Sequence, residues 1–135
     1  MSFYISAIIP SFNRYEFLLN AVNSVRNQSI ENYEIIIIND GSTDSNYYRN
    51  SFNDSNIKQI DLKENQRIKN GFSSDAIRNI GISEAKGKYV AFLDDDDVWF
   101  PDKLKIQANL LEESTNKLSC TEGYFGLGQY DLKKK

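Results

Sequence analysis

The residues predict an α/β fold: a doubly wound, mostly parallel sheet with helices on both faces, built as one domain over residues 1–135. Three observations carry that prediction. Apolar, β-branched runs alternate with stretches of helical period in the order βαβαβαβα, which implies a parallel sheet with crossover helices. One run holds four consecutive isoleucines, Ile35 to Ile38, as expected of a central strand covered on both faces. The densest turn signals follow such runs directly, at the ends where doubly wound sheets bind ligands.

Residues 4–9 (YISAII) read as the first strand, stopped by Pro10. Phe17, Leu18, Ala21, Val22 and Val25 recur at helical spacing and predict a helix from about Tyr15 to Asn27. Residues 33–38 (YEIIII) form the second strand, broken at the turn-rich string NDGSTD. Asp44 can cap a short polar helix through Tyr48 and Phe52. Residues 57–62 (IKQIDL) alternate as a third, weaker strand, and a polar loop leads on to Gly71. Ser73 or Ser74 caps a helix through about Ala85, in which Gly81 allows close approach to the sheet and Gly87 marks the end. Residues 89–93 (YVAFL) are the fourth strand. Pro101 opens a last helix carrying Leu104, Ile106, Ala108, Leu110 and Leu111. Residues 118–121 (LSCT) could add a strand, and residues 123–128 read as loop.

Composition excludes several function classes. With 40% hydrophobic residues, 8 Phe and 8 Tyr, the chain is globular rather than disordered. A net charge of −3 with mixed signs gives no nucleic-acid-binding surface, and Lys133, Lys134 and Lys135 read as a frayed end. The lone cysteine, Cys120, rules out an internal disulfide or a cysteine zinc site and fits a cytoplasmic setting, with peripheral membrane attachment left open. There is no histidine, so histidine triads and histidine metal ligands are excluded and acid–base chemistry falls to carboxylates. No segment is apolar enough over 18 residues to span a membrane.

The chemistry concentrates in Asp94, Asp95, Asp96 and Asp97, pinned between the fourth strand and the apolar Val98, Trp99 and Phe100. Two unit charges 4 Å apart repel by about 1 kcal/mol in water and roughly 4 kcal/mol near a protein surface. A divalent cation with oxygen ligands relieves that repulsion; an acidic loop capping the next helix is the alternative. In extended chain, Asp94 and Asp96 would share a face about 6.6 Å apart, twice the rise per residue, and converge on one metal–diphosphate unit. Asp95 and Asp97 would point elsewhere. Residues 10–14 and 39–44 lie at the same edge of the predicted sheet. There Asp40 offers an acceptor pair for the N–H edge of a nucleobase. Arg78, on the preceding helix, either faces solvent or contacts base or phosphate. No G-x-G-x-x-G and no P-loop is present, so a bound diphosphate would depend on a metal for neutralisation.

The strings IIPSFNR, EIIIINDGSTD, RNIGISEAKGKYVAFLDDDDVW and PDKLKIQ, in this order and spacing, resemble the N-terminal half of family 2 glycosyltransferases with the GT-A fold. The match runs over about residues 7–107. The resemblance implies a nucleotide-sugar donor, commonly UDP-linked, bound at the C-terminal edge of the sheet. Pro10, Ser11, Phe12, Asn13 and Arg14 would line the nucleoside, Asp40 would contact uracil, and Arg78 the base or phosphate. Asp94 and Asp96 match the DxD signature, with Asp94 near the ribose and Asp96, aided by Asp94, ligating Mn²⁺ or Mg²⁺. Asp95, where the family's residue is often small, is counted with the nucleotide-binding set.

The implied reaction is metal-dependent, inverting transfer of a sugar to an acceptor hydroxyl of a glycan, protein or lipid. Family members continue into an acceptor-binding half that carries the general base. Here Glu122 and Asp131 are the late acids, neither in a recognisable base motif, and no catalytic base is assigned. The alternative is a nucleotide-sugar-binding module without transfer. A receiver-like phosphoacceptor domain is disfavoured, since Asp40 has no paired acid and no lysine follows a fifth strand.

Overall fold

A computed structural model describes residues 4–50, 52–69, 71 and 75–127. The elements run β1 (Ile5–Ser11), α1 (Tyr15–Arg26), β2 (Tyr33–Asn39), α2 (Asn46–Arg49), β3 (Ile57–Asp61), α3 (Gln66–Lys69), α4 (Asp75–Glu84), β4 (Tyr89–Phe92) and α5 (Lys103–Glu112). The four strands form one sheet in the order β3-β2-β1-β4, with every pairing parallel.

β2 is the axis of the sheet. Ile35, Ile36, Ile37 and Ile38 are fully buried, and a side chain of that size contributes about 1.5–3 kcal/mol on burial. Because strand side chains alternate, the run feeds two cores. Ile35 and Ile37 join Ile5, Ala7 and Ile9 beneath Leu18, Ala21, Val22 and Val25 of α1 and Leu104 and Ala108 of α5. Ile36 and Ile38 pack on Ile77 of α4, with Ile60, Leu62 and Ile80 partly buried around them. Helices therefore cover both faces, as the alternation of elements predicts. The second face is incompletely covered at β4, where Val90 and Phe92 are exposed.

Pro10 does not stop β1. The strand continues to Ser11, with Pro10 opposite Ile38. The carbonyl of Ile8 points toward β4, where it accepts from Leu93 N, so Pro10 two residues on also turns its nitrogen that way. β4 pairs with β1 only as far as Ile8, and the missing N–H costs no ladder bond at this local edge.

Other boundaries moved for equally local reasons. α2 is one turn, with Asp44 Oδ1 accepting from Asn46 N at 2.9 Å. The polar loop before Gly71 contains α3, a single turn. α5 begins at Lys103, and its free Leu104 N–H is satisfied from outside by Gln28 Oε1 at 3.0 Å. Residues 118–121 form no strand, and Leu118 is exposed. The expected caps Ser73 and Ser74, with Gly128, Asp131 and the closing lysines, lie outside the described residues. Among the described residues no helix is long and apolar enough to cross a membrane.

Two glycines set how closely elements approach. A Cβ on Gly81 would lie 2.5 Å from Ile8 Cγ2, so α4 rests directly on β1. Gly87 stands beyond the end of α4 and serves the sheet instead: a Cβ there would meet Ser6 N at 2.6 Å and Ile5 C at 2.8 Å. Beside it the buried Glu34 accepts from Ser6 Oγ at 2.6 Å and Lys86 N at 2.7 Å, while Gly87 N donates to Ser6 Oγ at 2.8 Å. Both substitutions to alanine overpack and cost about 1–3 kcal/mol. Gly87→Ala should cost more than Gly81→Ala in urea unfolding, since backbone yields less readily than an isoleucine methyl; the reverse order would contradict the assignment.

At the opposite edge of the sheet from the acidic loop, Glu112 Oε1 accepts from Tyr89 OH at 2.7 Å, Tyr4 OH at 2.9 Å and the Lys88 ammonium. The lysine first, then the two hydroxyls, hold this carboxyl down at about 2, against an ordinary 4.5. A depressed carboxyl stabilises the fold above its unfolded value and loses that contribution as pH falls toward its folded one. The Tm difference between the wild type and Glu112→Gln should therefore be full at neutral pH and shrink between about pH 4.5 and pH 2. It should be small and salt-sensitive, because the cluster is solvent-exposed.

Candidate functional site

The sheet order locates the site. From β1 the chain moves outward to β2 and β3, then returns to place β4 on the other side of β1. The loops after β1 and β4 therefore flank the topological switch point, where open α/β sheets leave a crevice for ligands. The switch-point loops hold Phe12, Asn13 and Arg14 on one side and the four aspartates on the other.

The loop after β1 is stitched to the one after β2. Asn13 adopts a left-handed conformation with φ 50°. Its Oδ1 accepts from Thr43 N at 2.8 Å and Asp44 N at 3.0 Å, and its own N donates to Ser42 Oγ at 3.0 Å. A short polar side chain is suited to both demands, since asparagine visits this backbone region and reaches nearby N–H groups. Pro10 and Ser11 are strand residues, and Ser11 O accepts from Asp40 N at 2.8 Å.

Asp40 lies in the floor of the site, buried, with its carboxylate committed to α3. Oδ1 accepts from Gln66 N at 2.7 Å, and Arg67 N stands 3.5 Å from Oδ2. The neighbouring Gly41, at φ 68°, packs where a Cβ would sit 2.6 Å from the carbonyl carbon of Glu64. The segment 64–67 is thus part of the site's wall, which the polar sequence of that loop did not disclose. The carboxylate keeps acceptor capacity beyond these bonds, so burial, not a lack of lone pairs, limits what else can reach it.

The tetrad is a turn, not an extended segment. Asp97 N donates to Asp94 O at 3.1 Å, closing a four-residue turn around Asp95 and Asp96. Within it Asp95 is drawn inward, whereas Asp97, expected to turn away with it, is exposed like Asp94 and Asp96. The Asp95 side chain is 9% exposed, against 51% for Asp94 and 48% for Asp96. Ser11 Oγ donates to Asp95 Oδ2 at 2.9 Å, and Arg14 Nη1 stands 3.5 Å from Oδ1. Burial raises the Asp95 carboxyl, opposed by the Ser11 hydrogen bond and the Arg14 charge. Asp97 is raised by burial and by the charges of Asp96 and Asp94. Asp95 therefore turns its carboxylate toward protein, whereas Asp94 and Asp96 stand half-exposed.

Two guanidiniums balance the outer carboxylates. Arg78 Nη2 reaches Asp94 Oδ1 at 2.6 Å, and Arg14 Nη1 reaches Asp96 Oδ2 at 2.8 Å. The repulsion that the sequence assigned to a cation is met here by arginine. Among the described residues no three acids, cysteines or histidines are gathered to hold a metal ion. Asp94 and Asp96 supply two half-exposed hard-oxygen donors. That suits a cation such as Mg²⁺, which binds one or two carboxylates and completes its shell with phosphate oxygens and water.

One site residue escaped the sequence reading altogether. Tyr47 of α2 is buried, its hydroxyl 2.5 Å from Ser11 Oγ and accepting from Arg14 N at 3.0 Å. Burial pushes its phenol above the ordinary range. Its ring meets Tyr15 edge to face at 5.3 Å between centroids. A tyrosine in a four-residue helix gives no sequence signal of this kind. Glu122, the late acid within the described residues, is exposed and lies in neither helix nor strand.

With this geometry in hand, comparison with known proteins is decisive about family. The family model described as Glycosyl transferase family 2 matches residues 6–134. The chain belongs to glycosyl transferase family 2. The UDP-Glc:alpha-D-GlcNAc-diphosphoundecaprenol beta-1,3-glucosyltransferase WfgD of Escherichia coli is 32% identical over 131 residues, spanning 96% of this chain and 47% of that protein. An uncharacterized glycosyltransferase of Rickettsia bellii (strain RML369-C) is 39% identical over 119 residues, 87% of this chain and 16% of that protein. Residues 1–349 of S. aureus TarS in complex with UDP share the fold with a TM-score of 0.67 and 27% identity, over 82% of this chain and 32% of that one. The family 2 chain described here thus spans less than half the length of each of these relatives.

In this family 2 member the Asn13 stitch is directly testable. Both substitutions lose the side-chain cross-loop bonds, but Asn13→Ala keeps a Cβ at positive φ without the asparagine carbonyl that compensates for it, whereas Asn13→Gly removes the Cβ as well. In urea unfolding Asn13→Gly should be less destabilising than Asn13→Ala by about 1 kcal/mol. Equal costs would contradict the strain.

Proposed function

We propose that this chain is the donor-binding part of a metal-dependent, inverting glycosyltransferase that moves a sugar from a UDP-linked donor to an acceptor hydroxyl. The observation that carries the reading is the pair of outward carboxylates, Asp94 and Asp96, at the switch point, each already facing a guanidinium. Asp94 and Asp96 would hold Mn²⁺ or Mg²⁺, which when bound neutralises charge on the departing diphosphate.

The arginines have a second use in this reading. With a cation on the carboxylates, Arg14 and Arg78 would be able to meet the phosphate oxygens, whose geometry a guanidinium matches in bidentate fashion. Phe12 and Asn13, beside Pro10 and Ser11, line the nucleoside. Asp40 reads uracil through acceptor sites that Gln66 N leaves open, once the buried carboxylate is uncovered, and it shapes the pocket through α3. Inversion follows from direct attack of an acceptor hydroxyl on the anomeric carbon, with a carboxylate taking the proton. That base is not assigned to any described residue. The UDP complex of TarS and the UDP-Glc donor in the name of the Escherichia coli relative support the choice of nucleotide.

Binding without transfer is the second reading. Release of free sugar or glycosylated product across an acceptor panel separates the two.

Calorimetric titration with UDP tests the common core. Binding should require Mn²⁺ or Mg²⁺, and Asp96→Ala should weaken it by more than the roughly 10–100-fold typical of losing an outer-shell partner. Metal-independent binding, unchanged by Asp96→Ala, would overturn the reading.

A further inference from the structure

The buried hydrogen bonds under the tetrad form a directed chain. Ser11 has one hydroxyl proton, and Ser11 Oγ donates it to Asp95 Oδ2 at 2.9 Å. Of the pair Ser11 Oγ and Tyr47 OH, 2.5 Å apart, Tyr47 must then be the donor. The Tyr47 oxygen in turn accepts from Arg14 N at 3.0 Å. Donation therefore runs from Arg14 N–H to Tyr47 OH, to Ser11 OH, to the Asp95 carboxylate. It joins α2, the end of β1, the start of α1 and the loop after β4. Each donor polarises the next, and all three side chains are buried, so water competes weakly with any link.

We propose that Tyr47 is a positioning residue for the donor site: through Ser11 it anchors Asp95 inward and so fixes the tetrad turn with Asp94 and Asp96 facing out. The argument rests on three facts. Asp95 is the one member of the tetrad with its carboxylate bound to the strand-end Ser11. The outward pair flanks it on either side within a turn closed by Asp97 N and Asp94 O. Tyr47 reaches this point from α2, which contributes no other side chain to the chain of bonds. The hydroxyl is the operative group. The ring packs on Tyr15 whether or not the oxygen is there.

This inference deepens the proposed donor-binding role and rests on it for its consequence, though not for its structural step. Tyr47→Phe keeps the ring and deletes the hydroxyl. Amide hydrogen exchange in the ligand-free chain reads the structural step. Exchange at Arg14 N–H should quicken because its acceptor is gone, and a purely local role would stop there. A positioning role also quickens Asp97 N–H, far along the sequence, by about tenfold. Calorimetry with UDP and Mn²⁺ reads the consequence. The Kd should rise by about tenfold, as for loss of a hydrogen bond that ends on a charged group. Adding Tyr47→Phe to Asp95→Asn should change the Kd little further, since both act through one chain.

Unchanged Asp97 exchange, or an unchanged Kd in a wild type that binds, would overturn the inference while leaving the donor-binding reading intact. A wild type that fails to bind UDP with either metal would instead overturn the donor-binding reading, with Asp97 exchange still deciding whether Tyr47 holds the turn. If Tyr47→Phe does not fold, Ser11→Ala interrupts the same chain one link further on and is read in the same two ways.

Discussion

The hydrogen bond between Ser11 and Asp95 is the point on which the site depends. β1 and β4 are neighbours in the sheet but stand far apart in the chain, and their ends diverge into separate loops. At a topological switch point nothing in the ladder itself ties such loops together. Here a serine at the last position of β1 reaches across and holds the aspartate inward. The cost of burying that carboxylate is only partly offset by the hydrogen bond and by Arg14 nearby, and its effect is geometric. With Asp95 tied down, Asp94 and Asp96 stand outward, each beside an arginine.

The same loops explain how a run of aspartates is tolerated before any ligand arrives. Arg14 and Arg78 come from different elements, one at the entrance to α1 and one on α4, and each meets one outward carboxylate. These pairs are half-exposed and individually weak, so they cover the charges without locking them. In the proposed donor complex the two guanidiniums and two carboxylates exchange partners rather than being created or lost.

Much of this was legible in the sequence, and the reasons differ by element. The four isoleucines of β2 announced a doubly covered strand because burial on two faces removes the polar alternation. The turn strings after β1, β2 and β4 placed the site because the fold class fixes which strand ends gather. What stayed hidden depended on partners from elsewhere in the chain. Pro10 looked like a stop because nothing in sequence says that β4 ends two residues short of it. The tetrad looked extended because the Asp97-to-Asp94 turn bond is invisible in a string of identical residues. Tyr47 and the α3 segment at Asp40 carry no pattern at all; they matter through a hydroxyl and a backbone N–H that only tertiary packing brings into place. Gly87 was taken for a helix end, whereas its small size admits the backbone of β1.

The proposed function rests on one central claim: the outward aspartates and a nucleoside diphosphate share a divalent cation. Thermal unfolding with UDP and Mn²⁺, added separately and together, tests it most directly. Mass action requires that ligands binding as one unit stabilise the fold mainly when both are present. The account predicts a small shift in Tm with either alone and a much larger one with the pair. A shift with UDP alone that Mn²⁺ does not increase would contradict it.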